Sequence, residues 1–252
     1  MRARALAAAL AAALALVHGA ARADEVKVLS STGMKTVLQE LIPQFEKASG
    51  HKVAISFDTA NLLLGRLKAG ESADLVILTG PAMDDFAKLG RVAPGTRVDL
   101  ARSGMGVAVR AGAPKPDIGS VDAFKRALLD AKSVGYTTTG ASGIYFAGLI
   151  DKLGIGAQVR AKAKTQSGGA VGELVAKGEA EMAVQQIPEL LGVSGIALVG
   201  PLPKEIQMFT AFPAGVLTDS KQPKAAAALV AFLSTPAAGR VMQAKGMETA
   251  AK

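Results

Sequence analysis

Four short runs of hydroxyl, amide and glycine residues recur along this chain: Ser30-Ser31-Thr32-Gly33, Asp58-Thr59-Ala60-Asn61, Thr137-Thr138-Thr139-Gly140-Ala141-Ser142-Gly143 and Gln166-Ser167-Gly168-Gly169. Each stands just before a stretch that reads as a helix. Hydroxyls and amides placed there can donate hydrogen bonds to an anion, and glycine lets a ligand approach the backbone closely. Serine, threonine, aspartate and asparagine are also ordinary helix N-caps, so for any one loop capping is the simpler role. Recurrence argues for more: the run 137–143 alone holds four hydroxyls and two glycines in seven residues, which exceeds what one cap uses. The candidate ligand contacts in these loops are Ser31, Thr32, Thr59, Asn61, Thr138 and Ser142. Asp58 reads instead as a cap or a donor-orienting group, because an ionised carboxylate repels an anion.

Outside the loops, Arg102 precedes an apolar stretch and offers a planar fork to a carboxylate or a tetrahedral anion. A solvated surface arginine is the equal alternative. Gln185 and Gln186 close an apolar run ahead of Pro188, and one of the pair must face a cleft or a core and find a partner there. Tyr136 and Tyr145 flank the longest hydroxyl run. Hydrolytic machinery is missing. Cysteine is absent, and the only histidine beyond the first 23 residues, His51, sits in a Ser49-Gly50-His51-Lys52 turn. That leaves no Ser-His-Asp triad, no thiolate or histidine metal site, no phosphate-binding Walker loop and no G-x-G-x-x-G run. Asp84 and Asp85 are adjacent on a helix and diverge, so they suit a first-turn charge rather than an acid–base pair. No cofactor and no metal are expected.

Composition narrows the partners. The 252 residues carry 29 basic and 21 acidic side chains, three of the basic ones being Arg2, Arg4 and Arg22 near the start. The remaining excess is small and scattered, with no basic run, and aromatics are 4% with no tryptophan, so nucleic-acid binding is not expected. Half the residues are hydrophobic, with 28 glycines and 11 prolines spread along the chain, which excludes disorder and collagen. Residues 1–23 read as a secretory signal: Arg2 and Arg4, an apolar stretch from Ala5 to Val17, and Ala21-Arg22-Ala23 ahead of Asp24. The apolar stretch is shorter than the roughly 20 residues of a membrane span. An exported, soluble, monomeric protein beginning at Asp24 is expected.

Two halves of the chain must position the loops. Val26–Ser30 reads as a buried strand, Met34–Ala48 as a helix with Val37, Leu38, Leu41, Ile42 and Phe45 on one face, Lys52–Phe57 as a strand, Asn61–Ala69 as a helix and Asp74–Leu78 as a strand. The β-α-β-α-β order implies parallel pairing with right-handed crossovers. It returns as a strand over Ser133–Thr137, a helix over Ile144–Leu153, a strand over Val159–Thr165, a helix over Val171–Ala176 and a strand over Glu181–Gln186. KAGESADLVIL (68–78) lies over AKGEAEMAVQQ (176–186) in letters. Gly104–Arg110 reads as a strand carrying the chain between the halves, and Gln207–Pro213 as one carrying it back, followed by helices over Lys224–Leu233 and Pro236–Lys245. The expected fold is α/β, two similar lobes with mostly parallel sheets joined by a two-strand hinge: 24–104 with 205–252 as one lobe, 105–204 as the other. Ligands of such sheets bind beyond the carboxyl ends of the strands, where the four loops lie.

The chain resembles the type II solute-binding proteins of ABC transporters, nearest their molybdate-binding branch. The resemblance rests on the opening strand with Ser30-Ser31, Phe45-Glu46-Lys47-Ala48-Ser49-Gly50-His51-Lys52-Val53, Ala73-Asp74-Leu75-Val76-Ile77, Lys177-Gly178-Glu179-Ala180-Glu181 and Phe232-Leu233-Ser234-Thr235-Pro236. By position it implies ligand contact at Ser31, Thr59, Ser142 and Gln185. Molybdate binders typically show Ala-Ala-Ser-Leu and Ser-Gly-x-Leu in the first two loops and a tyrosine where Gln185-Gln186 stands, so this chain departs from them at three places. The resemblance implies a periplasmic receptor, not an enzyme, that closes on a small anion and hands it to a membrane permease. The three departures and Arg102 favour an organic carboxylate over molybdate. The competing reading is an isomerase or lyase using lysine or tyrosine chemistry on a small acid.

Overall fold

The computed structural model describes residues 25–249, so the expected leader and cleavage point lie outside the described residues. The first half runs β1 (Glu25–Ser31), a 3-10 turn over Thr32–Met34, α1 (Lys35–Ser49), β2 (Lys52–Asp58), α2 (Ala60–Lys68), β3 (Leu75–Ile77) and α3 (Gly80–Lys88). β4 (Val98–Arg110) leads into α4 (Val121–Asp130), β5 (Val134–Thr137), α5 (Ala141–Lys152), α6 (Gly156–Arg160), β6 (Ala163–Gln166), α7 (Gly172–Ala176), β7 (Met182–Gln186), α8 (Ile187–Leu191) and β8 (Ile196–Pro201). β9 (Phe209–Val216), α9 (Pro223–Leu233), α10 (Pro236–Ala244) and β10 (Glu248–Thr249) complete the order.

The strands lie in the order β2-β1-β3-β9-β4-β7-β5-β6, with β8 and β10 also on β4. β1 pairs in parallel with β2 and β3, and β5 with β6 and β7, while the pairings that involve β4 or β9 are antiparallel. Read from each outer edge inward, β2-β1-β3-β9 and β6-β5-β7-β4 are the same arrangement. This is the α/β fold of two similar lobes that the repeated element order implies.

Strands covered on both faces need near-continuous apolar runs. Val28, Leu75 and Ile77 pack against Leu38 and Leu41 of α1 and Leu229 of α9. Their strand neighbours Leu29, Val76 and Leu78 face the other way, onto Leu63 of α2 and Phe86 of α3. In the second half Val107, Val134 and Val184 meet Phe124 of α4 and Phe146 of α5, while Ala108 and Ala183 meet Val175 and Leu190. Each fully buried Val, Leu, Ile or Phe contributes roughly 1.5–3 kcal/mol, so the two halves have cores of their own.

Three segments differ from expectation. Val159–Thr165 alternates like a strand, yet α6 takes its first residues, because Val159 and Ile155 are buried in the second core and Arg160 reaches back to Asp151 on α5; β6 begins only at Ala163. β4 starts six residues earlier than the sequence pattern implies, since Val98–Gly104 pairs with β9. The chain returns between the halves through a 3-10 turn over Lys204–Ile206 rather than through a strand. At that crossing the side chain of Gln207 adds to the backbone pairing: its Oε1 accepts from the Met105 N–H at 2.8 Å and its Nε2 donates to the Met105 carbonyl at 3.0 Å, which also accepts from the Leu202 N–H at 3.1 Å. Gly104 permits this, because a Cβ there would lie 3.2 Å from Gln207 Nε2.

Candidate functional site

The carboxyl ends of β1, β2, β5 and β7 converge on one cavity between the halves. Ser31, Thr32, Gly33 and Thr59 line it from the first half. Thr137, Gly140, Ser142, Gly169, Gln185, Gln186 and Glu189 line it from the second, with Thr210 and Phe212 of β9 below. Close packing explains two glycines: a Cβ on Gly33 would meet Phe212 Cζ at 2.4 Å, and one on Gly143 would meet the Thr137 carbonyl oxygen at 1.7 Å. The cavity measures about 30 Å³, room for about two waters. The halves touch above it. Thr59 Oγ1 lies 3.0 Å from Thr139 Oγ1, and Asn61 Nδ2 donates to the Thr139 carbonyl at 3.2 Å.

The polar atoms of the cavity are unevenly satisfied. Ser31, Thr137 and Gln186 are each 3% exposed or less. Ser31 Oγ, Thr137 Oγ1 and Gln186 Oε1 nevertheless have no hydrogen-bond partner, three of the six such buried side-chain atoms among the described residues. Leaving a buried polar group unpaired costs about 1–3 kcal/mol, so three such atoms around one cavity set it apart as a place able to take up hydrogen-bonding groups. Gln186 is anchored on its other side, where Nε2 donates to Thr210 Oγ1 at 2.6 Å. Glu189 is the carboxyl among these neutral groups. Burial pushes it up to about 7, against hydrogen bonds from the Thr32 side chain, the Gln186 backbone and the Gln185 side chain that lower it.

The structure brings Ser31, Thr32, Thr59, Ser142 and Gln185 to the cavity wall. Gln185 is engaged at both ends of its amide: Oε1 accepts from the Val171 N–H at 2.9 Å, and Nε2 donates to the Gly169 carbonyl at 2.8 Å and to Glu189 Oε1 at 3.0 Å. Thr59 also caps α2 by accepting from the Leu62 N–H. Asn61 stands at the rim, exposed, in the contact with Thr139. Thr138 is exposed and is not part of the wall; its backbone N–H donates to the Gln166 carbonyl at 2.9 Å. Arg102 is not in the cleft either. Strand alternation turns it outward while Ser103 is fully buried, and its guanidinium pairs with Glu248 at 2.6 Å over the Phe209 ring at 4.6 Å.

Sequence reasoning missed Thr137, Gln186 and Glu189 as parts of the wall. Thr137 belongs to the hydroxyl-rich run and Gln186 to the glutamine pair, so both carried a signal. Glu189, just after Pro188, carried none. Among the described residues no group of three or more His, Asp or Glu side chains could hold a metal ion.

The profile of the bacterial extracellular solute-binding proteins matches residues 26–248. A relative named aconitate isomerase, from a Pseudomonas species, is 38% identical over 227 residues, covering 88% of this chain and 86% of its own. The molybdate-binding protein ModA of Azotobacter vinelandii is 28% identical over 241 residues, 92% of each chain. The solved structure of the Azotobacter vinelandii periplasmic molybdate-binding protein superposes with a TM-score of 0.77 at 17% identity, covering 90% of this chain and all of that one, and so speaks to the fold. The first of these relatives overturns one expectation: a chain this similar carries the name of an enzyme, so the reading of a binding protein without catalysis does not stand.

Proposed function

Because the chain belongs to the bacterial extracellular solute-binding proteins, we propose that its cleft closes on a small organic polycarboxylate and isomerises it. The observation that carries this reading is the 38% identical relative named aconitate isomerase. The wall supports it by its chemistry: neutral hydroxyl donors suit carboxylate oxygens, and Ser31 and Thr137 have hydroxyls free for the purpose. Ser31, Thr32 and Thr59 hold the ligand from one lobe, 24–104 with 205–252, and Ser142 from the other, 105–204. Gln185 shapes the wall rather than binding, and Arg102 takes no part. The cavity is far smaller than a tricarboxylate, so the lobes part to admit one, breaking the Thr59–Thr139 and Asn61–Thr139 contacts, and close again around it. The leader takes the protein to the periplasm, where it acts as a monomer and a membrane permease receives the anion.

The test is calorimetry with cis- and trans-aconitate, tricarballylate and molybdate, together with nuclear magnetic resonance of the two aconitates after incubation. A bound tricarboxylate at 100 times its dissociation constant should stabilise the protein by about 2.7 kcal/mol, and each aconitate should yield the other. Tight molybdate binding with no response to any carboxylate would reverse the assignment.

A further inference from the structure

We propose that Glu189 is the proton carrier of this cleft: its carboxylate removes a proton from the allylic methylene of the bound tricarboxylate and returns it to the far carbon of the same allyl unit. The inference rests on the isomerase reading above. In a propene tricarboxylate the methylene lies between a carboxylate and the double bond. Breaking its C–H bond leaves an electron pair delocalised over the allyl unit and the flanking carboxylates, and Glu189 becomes the acid. Protonation at the other end moves the double bond by one carbon, and the conformation in which the former single bond was held when the proton left fixes the geometry of the new double bond. The geometry changes, and Glu189 is again a carboxylate. No oxidant, reductant or second base is consumed.

The placement fits that work. Glu189 stands on α8 at the cavity wall, with Gln185 Nε2 3.0 Å from its Oε1 and the Thr32 side chain also hydrogen-bonded to it. These donors fix its orientation from both halves. Within the cavity, Thr32, Gln185 and Gln186 face it and none titrates. In the groove on its other side the titratable groups are Lys35 of α1 and Glu173 of α7. A carboxyl whose proton affinity is matched to neutral pH both takes and gives a proton readily. The free hydroxyls of Ser31 and Thr137 line the same cavity and can donate to substrate carboxylates as charge builds up on them.

A purely structural role competes with this. Glu189 is the third residue of α8 and accepts from the backbone N–H of Gln186 at its N-cap, one half of a capping box. Glutamine serves that position as well as glutamate, so Glu189→Gln separates the two roles. Wild type and E189Q are incubated with cis- and trans-aconitate in D2O, and interconversion and deuterium uptake into the substrate are read by nuclear magnetic resonance, with calorimetry for binding. E189Q should lose interconversion and exchange by about 10²–10⁴-fold while binding stays within a few-fold. Wild-type kcat/KM should fall about tenfold per pH unit below about 7. An active wild type with an equally active E189Q removes Glu189 and leaves the isomerase standing. A wild type that binds but neither converts nor exchanges either aconitate removes both. If E189Q fails to fold, E189D is measured, which keeps a carboxylate. Loss of fold in both variants makes the residue a cap and overturns the proposal.

Discussion

Each half encloses an acid beside the same structural unit, Asp74 at its start and Glu189 just past its end. KAGESADLVIL aligned with AKGEAEMAVQQ sets Asp74 opposite Met182 and Leu78 opposite Gln186. In the first half the acid lies at the start of β3 and the strand end is apolar. In the second the start is apolar, and the end leads through two glutamines to Glu189. Asp74 is 4% exposed and accepts from the Lys27 N–H at 2.9 Å, Ser220 Oγ at 2.8 Å, the Lys221 N–H at 2.8 Å and the Gln222 N–H at 3.0 Å. Burial alone would raise it, but these four hydrogen bonds outweigh burial and hold it below the usual carboxylate value. Glu189 has donors too, yet burial prevails and it keeps its proton to about 7. One fold therefore makes a staple and a titrating group from the same kind of side chain, and the balance of donors against burial decides which.

Breaking the staple should have the largest effect. Asp74→Ala removes a charged acceptor from four donors, each such bond being worth about 1.5–3 kcal/mol. A loss of about 3 kcal/mol or more in urea denaturation is expected, with affinity per folded molecule unchanged; a loss under about 1 kcal/mol would deny Asp74 its role. The acids should next be told apart by pH. For Asp74 the native value lies below the unfolded one, so its contribution is complete above about 4 and is lost as pH falls through the depressed value. For Glu189 the native value lies above the unfolded one, so the unfolded chain releases its proton first. Stability should decline from about pH 4.5 to about 7, by up to about 3 kcal/mol, and then level. Melting curves at pH 5 and 8 should show that decline in the wild type and its disappearance in E189Q. A wild type without the decline contradicts the account of its burial.

Smaller effects sharpen the contrast between donors held within the protein and donors left free. Ser31→Ala and Thr137→Val remove unpartnered hydroxyls, so the unliganded protein should melt no lower. Affinity should weaken by about 10- to 150-fold, the equivalent of a hydrogen bond to a charged ligand of about 1.5–3 kcal/mol. Lowered melting with unchanged affinity would make these hydroxyls structural. Arg102→Ala should do least: its exposed pair with Glu248 is worth about 0–1 kcal/mol, and calorimetry should give an unaltered dissociation constant.

The fold was largely legible because β1, β3, β5 and β7 are apolar runs and β2 alternates, all set between helices with one apolar face. Elements whose pattern is short or ambiguous were not: β8 and the five-residue α8 carry little periodicity, and α6 shares its alternation with a strand. Ser31 and Ser142 were legible as wall residues because loops at strand ends carry their chemistry in their own letters. Arg102 misled, since its position beside the crossing strand was visible but the earlier start of β4, which fixes the face it points from, was not. Glu189 was invisible because nothing about its own neighbours makes it a titrating group; Thr32, more than 150 residues away in sequence, helps to enclose it.

The clasp of Gln207 on Met105 bears on how the molecule moves. Everywhere else along β4 the neighbours are backbone, and a backbone ladder yields only by moving a whole segment. At the crossing the Met105 carbonyl accepts from the Leu202 N–H at 3.1 Å, and its other partner is a side-chain amide on a flexible stem, which can let go and re-engage by turning its own bonds while the main chain on either side keeps its pairing. The crossing then behaves as a detent: both hydrogen bonds are made in one relative position of the halves and surrendered together when they swing. In the opening proposed above, the clasp adds to the Thr59–Thr139 and Asn61–Thr139 contacts that hold the cleft shut.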